Sequence, residues 1–283
     1  MSDGILSIQS AVAYGHVGNS AAVFPLQRLG FEVWPVSTVL FSNHTGYGAW
    51  RGRVVGLDWV EEIVEGIAER GAIPRTCAVL SGYLGDPSLG EAVLRAVARV
   101  REARPDMVYA CDPVMGDEGR GFFVRPGIPE FFRDRAVPAA DLITPNQFEL
   151  AWLAGRTIAG VDDALAAAAK VRGTGPRIVV CTSLETGREG ELGVLADSAE
   201  ASWLCRTPKL PVDLNGTGDA FTALFLGGWL APGRLDQTLE RAVAAMYALV
   251  EATHRAGSRE LELVAAQDQL VAPARHFAAQ RLR

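Results

Sequence analysis

Only four cysteines and four histidines occur among 283 residues. Cys77, Cys111, Cys181 and Cys205 lie far apart and make no C-x-x-C pair. That disfavours a zinc site or a disulfide framework. The first three sit in apolar runs, where a free thiol behaves as a small hydrophobe, and a reducing cytoplasm fits. His16, His44, His254 and His276 form no H-E-x-x-H pattern. There is no P-loop and no G-x-S-x-G elbow, and Gly15-His16-Val17-Gly18 has the wrong spacing for a dinucleotide fingerprint. No stretch approaches the roughly 20 apolar residues of a membrane helix. Met1-Ser2-Asp3-Gly4 leads directly into a strand-like run, so no signal peptide is expected. Basic residues are also few, 27 against 33 acidic, for a net charge of −6. That balance argues against a broad nucleic-acid surface.

What is present is ordinary globular material, 49% hydrophobic and 21% charged. Strand-like runs fall at Ile5–Gln9, Glu32–Val39, Cys77–Ser81, Met107–Cys111, Asp141–Thr144, Arg177–Thr182 and Leu192–Ala196. Several are almost continuously apolar, as parallel strands covered on both faces are. Helical patterns fill the gaps at Asn19–Leu29, Asp58–Arg70, Gln147–Ala154, Asp162–Val171, Asp219–Leu230 and Leu235–Ala252. Asp58 with Glu61, and Ser88 with Glu91, read as capping boxes. The alternation predicts an α/β fold, a doubly wound, mostly parallel central sheet flanked by helices, in one domain over 1–283. Ligands of such folds gather at the carboxyl ends of the strands. The residues there are Ser10; Asn43, His44 and Thr45; Gly82 and Tyr83; Asp112; Thr144 and Asn146; and Thr182 and Ser183.

Three segments carry chemistry. Asn215-Gly216-Thr217-Gly218-Asp219 opens a helix, where glycine amides and the helix dipole favour an anion. Asp219 there is either a first-turn or capping acid, or a general base beside a phosphate. Asp112-Pro113-Val114-Met115-Gly116-Asp117-Glu118-Gly119 supplies hard oxygens suited to Mg²⁺ held jointly with phosphates, or is a solvated Asp-Pro turn. Thr144-Pro145-Asn146-Gln147-Phe148-Glu149 places Asn146 and Glu149 on one helix face, as an N-cap pair or around a metal's water shell. Phosphoryl transfer without a P-loop is the reading left.

The run Gly216-Thr217-Gly218-Asp219 resembles the anion-hole motif of the ribokinase superfamily. Further segments resemble the pyridoxal kinase family. They include Ile8-Gln9-Ser10, Gly15-His16-Val17-Gly18-Asn19, Phe24-Pro25-Leu26-Gln27, Phe41-Ser42-Asn43-His44-Thr45-Gly46-Tyr47, Leu80-Ser81-Gly82-Tyr83, Cys111-Asp112-Pro113-Val114-Met115-Gly116-Asp117 and Ala265-Ala266-Gln267-Asp268. The resemblance spans essentially the whole chain. It implies a ribokinase-like fold and transfer of phosphate from ATP, with Mg²⁺, to the 5′-hydroxymethyl group of pyridoxal and related B6 vitamers. It implies Asp219 as the base and Gly216, Thr217 and Gly218 as the phosphate cradle. Ser10, Phe41, His44, Thr45, Gly46 and Tyr83 would bind the pyridine ring. Asp112, Asp117 and Glu149 would face the metal, and Asp112, Thr144, Glu149, Thr182, Ser183 and Thr217 the nucleotide. Family members are commonly homodimers and often use a monovalent cation. The stretch Leu204 to Asn215, ending near Lys209, is short where the family often carries a flap over ATP.

Two alternatives accompany this reading. One is a related kinase acting on hydroxymethylpyrimidine or a sugar, which the Ser10 and Phe41–Tyr47 segments disfavour. The other is a non-catalytic B6 carrier, which would be expected to lose Asp219 or the glycine turn.

Overall fold

The computed structural model describes residues 3–231 and 233–283; Met1 and Ser2 of the N-terminal reading, and Pro232, lie outside them. The apolar runs become strands. In the first half these are β1 (Gly4–Val12), β2 (Glu32–Phe41), β3 (Gly52–Val54), β4 (Thr76–Ser81) and β5 (Val108–Cys111). A small hairpin follows, β6 (Gly116–Asp117) with β7 (Gly121–Phe122). Then come β8 (Leu142–Ile143), β9 (Ile178–Glu185), β10 (Glu191–Asp197), β11 (Ser202–Pro208) and β12 (Gln280–Arg281).

One sheet runs β12-β11-β10-β9-β8-β5-β4-β1-β2-β3. Its centre, from β2 through β9, is parallel. Its edges, β3 on one side and β10 to β12 on the other, are antiparallel. Every residue of β4 and β5 is buried, which removes the in-out alternation of a half-exposed strand. Alternate residues enter two separate cores. Leu6, Ile8, Val79 and Tyr109 face the helices Leu89–Ala103 and Val161–Arg172. Ile5, Ala78, Leu80 and Val108 face Asn19–Arg28, Thr217–Leu230 and Leu235–Ala256. The mostly parallel, doubly wound sheet is therefore as the sequence predicts.

Leu192–Ala196 is a strand as expected, within β10, and pairs antiparallel with β9. The stretch read as a short flap begins inside β11, where Leu204 and Cys205 are buried, and leaves the sheet after Pro208. Asp58 does not cap its helix. The helix is Leu57–Glu69 behind an extended Gly56, and Asp58 sits in its first turn. Ser88 already has helical backbone angles, so it makes no cap; its hydroxyl donates to Asp86 Oδ1 at 2.7 Å instead. A cap must be extended for its side chain to reach back, and Asn146 meets that requirement.

Candidate active site

The parallel strands end on one side of the sheet, and β1 and β4 mark its switch point. Chain direction brings Asp112 after β5 and Thr144 after β8, with the helix Thr217–Leu230 aimed at the same region. A cleft of about 410 Å³ opens there, lined by Asp112, Asp117, Thr144, Glu149, Thr182, Ser183 and the whole of Asn215 to Asp219. That volume suits a small-molecule site. The β6–β7 hairpin contributes Arg120, β10 contributes Leu192 and Val194, and the last long helix contributes Met246 and Tyr247.

The glycine turn has a physical explanation. Gly216 is the helix N-cap with φ +84°, and a Cβ on it would lie 1.8 Å from the His16 carbonyl oxygen. Only glycine fits both constraints. Asp219 is thus a first-turn acid and not the cap. Desolvation raises its pKa from the usual carboxylate range, against the backbone amide of Gly18, which favours the charged form. Asp112, 5% exposed, is raised well above that range by burial and by the charges of Glu149 and Asp219. Thr222 holds the group together, a residue the sequence reading did not single out. Its hydroxyl donates to the Gly218 carbonyl at 2.9 Å, lies 2.7 Å from the Thr144 hydroxyl, and adjoins Asp112. Its place one turn after Gly218 was the available signal.

Asn146 and Glu149 form a true capping box. Glu149 Oε2 accepts Asn146 N–H at 2.9 Å, and Oε1 accepts Met115 N–H at 2.8 Å. Burial pushes the carboxyl up to about 8 against these donors. Asp117 is exposed and accepts the N–H of Glu118. Among the described residues no three His, Cys, Asp or Glu side chains come together as a metal cage. The expected trio Asp112, Asp117 and Glu149 lines the same cleft without forming such a cage, and backbone donors face Glu149.

Thr182 and Ser183 lie inside β9, not beyond its end as expected. A register irregularity against β10 falls beside them, and Ser183 is the one described non-glycine residue with positive φ, 52°. Backbone held in this region is characteristic of ligand sites. Lys209, from the end of β11, lines the cleft and pairs with Glu185 at 2.6 Å.

The predicted acceptor residues gather beside the cleft and are not part of its lining. Ser10 sits where β1 slips register against β2, a bulge that re-aims its side chain. A Cβ on Gly18 would lie 2.3 Å from Ser10 Oγ, so the hydroxyl adjoins the loop that holds Asp219. Tyr83 is fixed by its carbonyl, which accepts from Thr38 Oγ1 at 2.7 Å, and burial raises its phenol. Phe41 packs at 6.0 Å from Trp50. Thr45 and Gly46 occupy an exposed 3-10 turn, with His44 buried beneath it.

The pfkB family carbohydrate kinase model matches residues 76–260. The chain is 59% identical over 281 residues to pyridoxal kinase PdxY of Rubrobacter xylanophilus, covering 98% of this chain and 97% of that one. It is 54% identical over 286 residues to pyridoxal kinase PdxY of Deinococcus radiodurans, covering 98% and 96%. Among solved structures, pyridoxal kinase from Leishmania donovani in complex with ADP and ginkgotoxin superposes with a TM-score of 0.93 at 31% identity, covering 100% of both chains. The chain belongs to the pfkB carbohydrate kinase family and, within it, to the pyridoxal kinases.

Proposed function

We propose that the protein transfers the γ-phosphoryl group of ATP to the 5′-hydroxymethyl group of pyridoxal, forming pyridoxal 5′-phosphate and ADP. Pyridoxine and pyridoxamine carry the same hydroxymethyl group and are further acceptors in B6 salvage. The observation that carries the reading is the meeting of two halves at Asp219. On one side stands a cleft headed by the Gly216–Gly218 amides. On the other, Ser10 adjoins Gly18, whose backbone amide favours the charged form of the same carboxylate.

Asp219 takes the proton from the acceptor hydroxyl as its oxygen bonds to phosphorus and the bond to ADP breaks. A carboxylate raised by desolvation is a better base than a free aspartate. The amides at the helix start stabilise charge on the transferring group. Mg²⁺ fits the donor set. Buried Asp112 repels its acidic neighbours, which a cation relieves, and without a ready cage the ion would be shared with phosphate oxygens and water. Asp112 would hold it, and the ion would neutralise phosphate charge. Thr144, Thr182, Ser183 and Thr217 line the nucleotide side.

The whole chain, 1–283, works as one domain, since the site draws on both ends. Leu40, Trp50, Trp59 and Ile63, exposed on β2, the following loop and the helix Leu57–Glu69, supply an apolar edge for a homodimer. Four buried, unpaired cysteines and use of ATP suit the cytoplasm. The deciding experiment follows pyridoxal 5′-phosphate formation by the purified protein with Mg²⁺ and ATP, with hydroxymethylpyrimidine and sugars as competing acceptors. Turnover of pyridoxal in preference to both supports the reading. Preferred turnover of either competitor replaces it with the related kinase, and pyridoxal binding without turnover replaces it with the carrier.

A further inference from the structure

Glu260 takes no part in the phosphoryl-transfer reading. It lies just beyond the helix Leu235–Ala256, and its side chain is 13% exposed. Three donors from two distant loops meet its carboxylate. Oε1 accepts the Tyr47 hydroxyl at 2.7 Å and lies 3.0 Å from His44 Nε2. Oε2 accepts the His16 backbone N–H at 2.9 Å. The backbone of Glu260 is itself pinned. Its carbonyl accepts from Ser258 Oγ at 2.7 Å, and its N–H donates to the same oxygen at 3.1 Å. Gly15, at φ +92°, admits the carboxylate: a Cβ there would lie 2.2 Å from Oε2. The Arg259 guanidinium covers the Tyr47 ring at 4.5 Å.

An ionised carboxylate only accepts, so His44 must present its proton on Nε2. Nδ1 then carries a bare lone pair. It is buried and has no hydrogen-bond partner among the described residues. A Cβ on Gly46 would lie 2.9 Å from this nitrogen and 3.0 Å from the Asn215 amide nitrogen. The lone pair thus sits at the seam between the acceptor loop and the phosphate turn. The His16 peptide adds a second tie. Its N–H donates to Glu260, and its carbonyl oxygen abuts Gly216.

We propose that Glu260 is a positioning residue for the alcohol acceptor: it fixes His44 with its proton on Nε2 and locks the 44–47 turn to the His16 peptide, so that Nδ1 accepts a hydrogen bond from a hydroxyl of the bound ring. The identity of the acceptor rests on the pyridoxal kinase reading; the tautomer and the tie do not.

The test has two parts. In ¹⁵N-histidine-labelled native protein at neutral pH, His44 should show the Nε2–H tautomer, with an Nδ1 signal that moves on adding pyridoxal. In kinetics, Glu260→Ala should raise the KM for pyridoxal about 10- to 100-fold, the loss of a charge-assisted hydrogen bond, and leave the KM for ATP unchanged. Glu260→Gln keeps one accepting oxygen and should recover most of the loss. An Nδ1–H tautomer, an Nδ1 signal indifferent to pyridoxal, or a Glu260→Ala variant that raises both KM values alike would overturn the proposal. Should Glu260→Ala fail to fold, the native spectra alone decide. Native protein that forms no pyridoxal 5′-phosphate sinks the kinase reading while leaving the tautomer measurement standing.

Discussion

The backbone amide of Gly18 adjoins the carboxylate of Asp219 and favours its charged form, joining the loop after β1 to the start of a helix near the other end of the chain. That influence keeps the carboxylate available to take a substrate proton. Asp219→Ala should lower kcat for pyridoxal about 10²- to 10⁴-fold, the usual worth of a positioned general base. Asp219→Asn keeps the shape of the side chain but cannot act as a base, and should lose a similar factor. Single-turnover formation of pyridoxal 5′-phosphate checks this. Undiminished kcat in both variants would remove Asp219 from the chemistry.

Protonation of Asp219 abolishes its role as base, so the rate must fall as pH falls. Because desolvation raises its pKa, the acid limb of kcat/KM should lie above the 3.8 of an ordinary aspartate. Asp112 shares the same space, and its charge is disfavoured partly by that of Asp219. A divalent cation brought in with the nucleotide relieves that repulsion and favours the charged forms. The acid limb of kcat, which reports the complex, should therefore lie at lower pH than that of kcat/KM. Coincident limbs would show that the bound cation leaves these carboxylates untouched.

Glu149 separates two roles by experiment. Its oxygens accept the N–H groups of Met115 and Asn146, so Glu149→Ala strands buried donors and removes half of a capping box. The expected loss is about 2 to 4 kcal/mol of stability in denaturant titration. A variant of native stability whose KM for Mg-ATP nevertheless rises would assign Glu149 to the metal instead.

Asp197 is fully buried among Arg172 at 2.9 Å, Arg283 at 2.7 Å and the Ser202 hydroxyl at 2.6 Å. Both arginines reach solvent and can rehydrate, which moderates the cost of losing the carboxylate. Asp197→Ala should still destabilise by about 2 to 4 kcal/mol, with kcat unaffected in the folded fraction. Equilibrium unfolding beside an activity assay checks the pair of outcomes.

Ser183 tests whether backbone strain serves the nucleotide. At φ 52°, Ser183→Gly should be neutral or stabilising by up to about 1 kcal/mol, since glycine adopts that region freely. A rise in the KM for ATP in the same variant would assign the hydroxyl a contact with the nucleotide. Ser183→Val should destabilise, because a branched side chain crowds that conformation.

Much of the site was legible because it is local. Asp112 and Thr144 follow apolar runs, and Asp219 stands at a glycine-marked helix start. Each follows from a strand or helix that needs no distant partner to be recognised. Where sequence failed, the cause was geometry that spacing does not encode. Ser88 and Asn146 carry the same capping pattern, yet only Asn146 has the extended backbone that lets it cap. Thr182 and Ser183 seemed to end a strand because polarity rises there, but pairing with β10 carries β9 on to Glu185. Glu260 stands in the run Arg259-Glu260-Leu261-Glu262, which carries no motif; its partners His16, His44 and Tyr47 come from the far end of the chain.

The meeting of loops from β1 and β2 with residues beyond 215 also sets an order for biosynthesis. A chain emerging from the ribosome gains Ser10, the 44–47 turn and the first parallel strands early. The base and the phosphate cradle arrive only after β11, and the carboxylate that gathers His16, His44 and Tyr47 arrives later still. Incomplete chains would hold acceptor loops with no phosphate cradle beside them. Contacts this distant in sequence close slowly, so the gain of activity should be among the last events of folding.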